Sequence, residues 1–358
     1  MLKFYLLLTV ALPLAQAARL LLTNDDGWDH PNIRALFHLL DTTTNHKLIL
    51  SAPTTGHIEP SWFELSRSLL LSAARPVDQS SRVDDDHETS LGDDDVETLF
   101  GGDDHETSFR DDASEHTLVW DEELRKRHEK AWGHRWGYDI SDIRLNHGPF
   151  DPKAAIELGQ SYLGPMFYHP DGPNHPDGRP VLVLVGPTVR DDRPDRALAA
   201  VESLLRRDRS PTIVFATANT IADPAREQSS KIFASLAGKI IQRLIRHDKP
   251  DIPSSAYLHV SFPHVDIPNG RCSNEEEFKF ILTSRKPNNR NKLNRAWGCE
   301  QEGFPFETEV VGNEHGCYVA ISLVFYDDAG LTSRLLRSRG HKKIHKRLED
   351  ILKCFPKN

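Results

Sequence analysis

The chain alternates short, uninterrupted apolar runs with segments of helical periodicity. The apolar runs are Arg19–Thr23, Lys47–Ser51, Val181–Val185 and Thr212–Thr217. Such a run, without polar alternation, is typical of a parallel strand that is buried on both faces. Helices are predicted between and after these strands, at Pro31–Leu40, Asp151–Leu163, Asp195–Arg207 and Pro224–Arg246. The alternation predicts an α/β fold, a three-layer, Rossmann-like and mostly parallel sheet covered by helices on both faces.

The pattern changes in the last part of the chain. After an apolar run at Tyr257–Pro263, shorter strand-like runs follow at Phe278–Thr283 and Tyr318–Phe325, and a helix is predicted at Lys342–Cys354. We therefore expect an α/β domain over residues 18–262. Residues 263–358 are expected to form a C-terminal β-hairpin extension that ends in a helix.

The first seventeen residues have the composition of a secretory signal peptide. Lys3 supplies the positive end, Phe4–Leu14 the apolar region, and Ala15–Ala17 a small-residue cleavage site. This apolar region is too short to cross a bilayer, and no later segment is apolar over a sufficient length. The sequence thus predicts a secreted protein with no membrane span.

Four cysteines lie in the last quarter of the chain, at Cys272, Cys299, Cys317 and Cys354. An even number in a secreted protein predicts two disulfide bonds, although the sequence does not determine the pairing. Partners adjacent in the sequence, Cys272 with Cys299 and Cys317 with Cys354, are the pairing that we predict. Zinc binding is not favoured, because no Cys-x-x-Cys spacing is present.

The acidic character of the chain is concentrated in one segment. The formal net charge is −9, from 44 basic and 53 acidic residues, but residues 84–112 contain thirteen of the acidic residues and one basic residue. The segment repeats a nonapeptide three times and is predicted to be a disordered, solvated insert, with weak cation binding as the alternative. Because the rest of the chain is close to neutral, a nucleic-acid polymer is not expected as a partner.

Two adjacent carboxylates follow the first apolar run directly. Asp25, Asp26 and Gly27 come at the expected carboxyl end of a parallel strand, where ligands of open α/β sheets bind. Carboxylate oxygens are hard ligands, which suit Mg²⁺, Mn²⁺ or Ca²⁺. A turn rich in Asn, Asp and Gly has the same composition without any function, so the pair alone leaves both interpretations open.

The surrounding sequence resembles a known family. Leu20–Gly27, followed by Pro31–Leu36 and Leu48–Pro53, is similar to the opening of the SurE-like phosphatases and 5′-nucleotidases, most closely to the secreted fungal branch. The shared order is a strand, a Thr-Asn-Asp-Asp-Gly turn, a helix, and a second strand that ends in Ala-Pro. The resemblance implies a secreted hydrolase of phosphate monoesters, of the acid phosphatase or 5′-nucleotidase type, which acts on nucleoside monophosphates or similar small esters.

The resemblance also implies roles for individual residues. The catalytic residues would be Asp25 and Asp26, which together with Thr188 would bind a divalent metal, Mg²⁺ or Mn²⁺, with Ca²⁺ as a further alternative. Asn24, Gly186 and Pro187 would bind the substrate. In relatives, C-terminal segments join subunits, which makes a homodimer an expected assembly.

Several family positions carry other residues here. Thr188 replaces an Asn and Val185 a Ser in the turn after the third strand of the motif, and Ile58-Glu59 stands where a Ser-Gly pair is expected. His57, Glu59 and Ser61 are all possible replacements for that Ser, and the sequence does not choose among them. These changes support an alternative function, that of a catalytically inactive SurE-like secreted binding protein.

Other chemistries lack their motifs. The chain has no Gly-x-Gly-x-x-Gly turn for a dinucleotide and no Gly-x-Ser-x-Gly turn of an α/β-hydrolase. A basic run from Arg334 to Arg347 is predicted to be the solvated face of the last helix. His341 and His345, which lie in that run, are predicted to be surface residues.

Overall fold

Nine strands form one mostly parallel sheet within the part of the chain that the structure describes. The computed structural model describes residues 17–54, 137–148, 151–168, 179–189, 198–202, 209–219, 225–246, 249–285, 299, 303–325 and 334–356. The expected signal peptide, the acidic insert at 84–112 and the candidate ligands His57, Glu59 and Ser61 lie outside these ranges, so those predictions remain predictions.

The described residues form eleven strands. They are β1 (Arg19–Thr23), β2 (Lys47–Pro53), β3 (Gly137–Asp139), β4 (Asp142–Gly148), β5 (Leu182–Val189), β6 (Thr212–Thr217), β7 (Ile245–Arg246), β8 (Lys249–Pro250), β9 (Ala256–Phe262), β10 (Phe278–Thr283) and β11 (Cys317–Phe325). Strands β7 and β8 form a separate antiparallel pair, and the other nine belong to the main sheet.

Helices cover the sheet. They are α1 (Pro31–Thr43), α2 (Pro152–Leu158), a π-helical turn (Gly159–Leu163), α3 (Gly164–Tyr168), α4 (Arg226–Leu244), α5 (Glu307–Val311) and α6 (Arg334–Leu348), together with a 3₁₀ turn at Glu275–Glu277. Residues 198–202 are also helical. None of the helices in the described ranges combines the length and the apolar character that a bilayer crossing requires.

The strand order places the start of the chain at the middle of the sheet. The order is β10-β11-β9-β6-β5-β1-β2-β4-β3. The six neighbouring strands β4, β2, β1, β5, β6 and β9 pair in parallel. Strand β3 pairs antiparallel with β4, and β9 pairs antiparallel with β11. Numbered by their succession along the chain, the six parallel strands β4-β2-β1-β5-β6-β9 have the order 3-2-1-4-5-6, which is that of the doubly wound dinucleotide-binding fold.

Alternate side chains of the strands fill two apolar layers. On one face, Leu20 and Leu22 of β1 belong to a core that includes apolar residues of α1, α4 and α6. On the other face, Leu21 packs in a core with residues of α2, α3 and the helical residues 198–202. Both faces of the sheet are therefore buried under helices, which confirms the predicted three-layer, mostly parallel α/β fold.

The helix α1 shows how the sequence determines one of these layers. Pro31 stands in the first turn, where its missing N–H is not needed for the helix. Ile33, Leu36, Phe37 and Leu40 recur at helical spacing, and all four are buried in the core. The helix thus lies flat on the sheet with its N-terminus at the edge where β1 ends.

One strand was not predicted, and two local predictions are wrong. Asp142–Gly148 form β4, which pairs in parallel with β2, although Leu145–Pro149 has the composition of a turn. The C-terminal strands do not form a hairpin extension, because β10 and β11 pair in parallel and continue the main sheet through β9. His341 is not a surface residue. It is 5% exposed and lies beside the rings of Phe304 and Phe325.

The disulfide pairing also differs from the prediction. The bonds are Cys272–Cys317 and Cys299–Cys354, each with a Cα–Cα distance of 5.5 Å. Cys317 opens β11 and is in register with Phe278, the first residue of β10. Because the two strands run in parallel, the chain that enters β10, including Cys272, lies beside the start of β11.

Candidate functional site

The candidate residues lie at the point where the strand order reverses. Strands β1 and β5 are neighbours in the sheet, and from this pair the chain proceeds outward in both directions, to β2 and β4 on one side and to β6 and β9 on the other. In doubly wound sheets, the crevice outside the carboxyl ends of such a strand pair is where ligands bind. Asn24–Gly27 follow β1 at this edge, and Gly186–Thr188 belong to the last part of β5.

The turn after β1 is fixed to the strands on both sides. Asp26 Oδ2 accepts a hydrogen bond of 2.8 Å from the backbone N–H of Val189, the last residue of β5. On the other side, the backbone N–H of Trp28 donates to the carbonyl of Pro53 at the end of β2, also at 2.8 Å. Gly27 has φ of 113°, which few other residues adopt. The Asp-Asp pair is thus held in a defined position between β2 and β5.

Gly186 permits a close approach between β5 and β6. Its φ is 91°, and a Cβ atom there would collide with the carbonyl oxygen of Phe215 in β6. The register between β5 and β6 shifts between Val185 and Thr188, as at a β-bulge. The Thr188 hydroxyl lies 3.5 Å from the same carbonyl and donates to it, so that it contacts β6 rather than β1.

Asn24 is the most unusual polar residue of this edge. It is fully buried, and neither its Oδ1 nor its Nδ2 has a hydrogen-bond partner among the described residues. Buried amide atoms are nearly always paired in folded proteins. A side chain with an unpaired acceptor and an unpaired donor is suited to a ligand that offers both a positive and a negative group.

Aromatic and charged side chains line the side of the turn that faces β4. The ring of Trp28 stacks on that of His147 with centroids 4.5 Å apart, and the guanidinium of Arg34 lies 5.5 Å from the Trp28 centroid. Arg34 also pairs with Asp139 of β3 at 3.4 Å. Burial lowers the pKa of His147, although the charges of the nearby acids oppose this. Trp28, His147 and the Arg34–Asp139 ion pair thus lie together on this side of the turn.

The donor set at this edge has the chemistry of a hard divalent cation site. Asp25 and Asp26 offer carboxylate oxygens, and Asn24 offers a buried amide oxygen with no other partner among the described residues. The hydrogen bond from the N–H of Val189 fixes the orientation of the Asp26 carboxylate. No group of three or more His, Cys, Asp and Glu side chains suited to a metal occurs within the described ranges.

A second buried polar cluster, which the sequence did not reveal, lies in the C-terminal half of the sheet. Glu307 of α5 accepts hydrogen bonds from Ser261 at 2.8 Å and from His259 Nδ1 at 3.1 Å, and Arg285 Nε lies 3.4 Å from it. Burial alone would raise the pKa of Glu307. The polar neighbours of Glu307 outweigh this effect of burial and lower its pKa to about 2. They are His259, through its hydrogen bond and its charge, Arg285, through its charge, and the hydroxyl of Ser261.

Ionised Glu307 determines the proton position on His259. A carboxylate only accepts hydrogen bonds, so Nδ1 of His259 carries the proton that it shares with Glu307. Ser322 also donates to Glu307, and Thr283 is paired with Ser322 at 2.7 Å. Ser261, on β9, belongs to this cluster and not to the edge of β1.

Comparison with known proteins leaves the family open. No family model matches the chain, and no curated protein matches it. A similar solved structure is that of the SurE protein from Aquifex aeolicus. The two chains are 15% identical, the match covers 88% of this chain and 98% of that one, and the TM-score is 0.43. A likeness at this level does not establish membership of the family.

Proposed function

We propose that the chain is a divalent-metal-dependent phosphomonoesterase that hydrolyses nucleoside monophosphates or similar small phosphate esters. One observation carries the proposal. Asn24, with an unpaired buried donor and acceptor among the described residues, adjoins two carboxylates at the switch point of a doubly wound sheet. A cation and a phosphate group bound together would supply the partners that both Asn24 atoms lack.

Asp25 and Asp26 would hold the metal, with Thr188 as the further ligand that the family resemblance implies. A bound Mg²⁺ or Mn²⁺ supplies charge neutralisation for the phosphate and lowers the pKa of a coordinated water. Asn24 Nδ2 would donate to a phosphate oxygen, and the bulge at Gly186 and Pro187 would form the wall of the substrate site. The N-terminus of α1 adds positive potential at the same edge.

The proposed setting is extracellular. The two disulfide bonds are compatible with an oxidising compartment, and the leader at residues 1–17 has signal-peptide composition. The homodimer implied by the family resemblance stays a prediction.

The test is metal-dependent phosphate release by the oxidised chain and by two isosteric variants. Asp25→Asn and Asp26→Asn remove one charge each. In Asp26→Asn the new amide oxygen can still accept the N–H of Val189, so the fold is expected to persist. We expect each variant to lower kcat by at least about 100-fold, the loss typical of an electrostatic group that acts in the transition state. Asp29→Asn, an exposed acid in the same turn, is the matched control and should change kcat by less than about twofold.

Activity that survives both substitutions, or that EDTA leaves unchanged, would contradict the proposal. Nucleoside monophosphates and p-nitrophenyl phosphate would both be assayed, since the first tests the substrate class and the second tests phosphoester hydrolysis alone.

An inactive binding protein is the second candidate. The observation that favours it is the Thr188 hydroxyl, which is directed to β6 by its contact with Phe215 and so adds no ligand on the side of β1. Binding of Mn²⁺ and inorganic phosphate without release of phosphate from any ester would support this function over the first.

A further inference from the structure

His30 occupies the position at which α1 begins and is held there by three hydrogen bonds. Its Nδ1 accepts the backbone N–H of Asn32 at 3.3 Å and so caps the helix. Its own backbone N–H donates to Gly27, and its carbonyl accepts the N–H of Arg34, both at 3.2 Å. The residue is 7% exposed. The imidazole is therefore part of the same rigid turn as Asp25 and Asp26.

The cap determines which ring nitrogen of His30 carries the proton. Burial, and next the charge of Arg226, lower the pKa of His30 to about 4, against a small opposite effect of Asp29. The ring is thus neutral at pH 7 and has one N–H. Because Nδ1 accepts a hydrogen bond, the proton is on Nε2. This buried Nε2–H has no acceptor within the part of the chain that the structure describes.

A second helix begins beside His30. Ser230, in the first turns of α4, donates to Asn32 Oδ1 at 2.6 Å, and its hydroxyl also lies 2.7 Å from the carbonyl of Arg226. The N-termini of α1 and α4 therefore meet at this edge, and both present the positive ends of their dipoles. Asp29 and Glu227, the acids at the two helix starts, are exposed, whereas Asp25 and Asp26 of the preceding turn are the proposed metal ligands. With a cation on those two carboxylates, the surroundings of the Nε2–H favour an anionic acceptor over a neutral one.

We propose that His30 Nε2 donates a hydrogen bond to an oxyanion subsite between the N-termini of α1 and α4, which binds an oxygen of a tetrahedral phosphate group. The inference deepens the proposed function and rests on it for the identity of the anion, namely the phosphoryl group of the ester or the free phosphate product. His30 donates a hydrogen bond and transfers no proton, so it binds and orients the phosphate rather than acting as an acid or base.

Two substitutions separate the ligand function of His30 from its capping function. His30→Asn keeps a short side chain that caps a helix well, and it removes the Nε2–H. His30→Gln places an amide N–H close to the position of Nε2. His38→Asn, an exposed histidine on the same helix, is the matched control.

The first measurement is calorimetric titration of the full oxidised chain with inorganic phosphate, with and without Mg²⁺. We expect His30→Asn to raise the Kd about tenfold or more, as for the loss of one hydrogen bond to a charged group. His30→Gln should recover part of the affinity, and His38→Asn should bind like the wild type. The Tm of each variant should stay within about 2 °C of the wild type, which shows that the fold is intact.

The second measurement uses the unaltered protein and is independent of any folding defect. Nitrogen-15 NMR of the histidine rings identifies the tautomer, and the His30 signal is assigned by its loss in His30→Asn. We expect the Nε2–H tautomer, and a shift of its signal when phosphate is added. A proton on Nδ1, no phosphate binding by the wild type, or equal phosphate affinity in His30→Asn would each overturn the subsite.

The outcomes distinguish this inference from the proposed function. If Asp26→Asn abolishes ester hydrolysis while His30→Asn binds phosphate normally, the function stands and the subsite does not. If the chain hydrolyses no ester but loses phosphate affinity in His30→Asn, the subsite stands and the function does not.

Discussion

The substitution Glu307→Gln tests how a buried charge holds the C-terminal strands to the sheet. Glu307 accepts hydrogen bonds from His259 and Ser261, on β9, and from Ser322 on β11, and it pairs with Arg285, which follows β10. One carboxylate thus connects three adjacent strands. Gln keeps the size of the side chain and removes its charge.

The size of the expected destabilisation follows from the pKa of Glu307. This pKa falls from 4.5 to about 2 in the folded protein. At about 1.4 kcal/mol for each pKa unit, the ionised form contributes about 3 kcal/mol to the free energy of unfolding. Removal of one member of a buried ion pair costs about 3–5 kcal/mol in other proteins, in agreement with this value.

The pH dependence gives the sharper test. Because the folded pKa lies below the unfolded one, the stabilisation is complete above pH 4.5 and is lost as the pH falls towards 2, with about half of it remaining at pH 3. Urea unfolding at pH 7, 5, 4 and 3 should show Glu307→Gln about 3 kcal/mol less stable at pH 7, and the difference should shrink at the lowest pH.

The control is Glu309→Gln, an exposed acid two residues further along α5. It should change the free energy of unfolding by less than about 0.5 kcal/mol at every pH. If Glu307→Gln unfolds like the wild type at pH 7, or if its deficit is the same at pH 7 and pH 3, the reasoning from the buried charge is refuted.

Two further predictions concern a buried histidine and a glycine. Burial, and next the charge of Arg337, lower the pKa of His341 from 6.5 to about 4, so the folded state excludes a proton that the unfolded state binds below pH 6.5. His341→Phe should therefore reduce the loss of stability between pH 6.5 and 4 by about 3 kcal/mol, measured by urea unfolding, and an unchanged pH profile would contradict this. Gly186→Ala should lower the free energy of unfolding by more than about 2 kcal/mol, because the new Cβ adds a collision with Phe215 to an unfavourable φ. Gly270→Ala is the control for the unfavourable φ alone, because Gly270 has φ of 73° and no atom lies within 4 Å of the added Cβ. If both variants lose the same free energy of unfolding, the collision is unimportant.

The fold was predictable where local sequence determines it. Continuous apolar runs gave β1, β2, β5 and β6 to within a few residues, because a strand buried on both faces cannot contain polar alternation. Strand β4 was missed, since its half-buried first residues and its Asn and His side chains have turn composition. The pairing of β10 with β11, and the disulfide bonds, depend on which distant segments meet, and no local pattern contains that information.

Some residues of the candidate site were likewise predictable from the sequence, and others were not. The Asp25-Asp26 pair and the Gly186-Pro187 turn are short motifs that the sequence displays directly. The Nε2–H of His30 became apparent only in three dimensions, because its pKa is lowered by burial in the folded chain and by the charge of Arg226, at the start of a helix far along the sequence. The position of His30 directly before Pro31 was a usable signal, since the residue before an N-terminal proline often caps the helix.

The two polar clusters of this sheet differ in one physical respect that bears on their functions. Around Glu307, each charged or hydroxyl group has a partner within the cluster, so the cluster is complete without a ligand and its effect is on stability. At the end of β1, Asn24 and the Nε2 of His30 are buried and have no partner among the described residues. Folding leaves these donors unpaired at an energetic cost that a bound phosphate would remove. The end of β1, and not the Glu307 cluster, is therefore where a ligand is expected to stabilise the protein most.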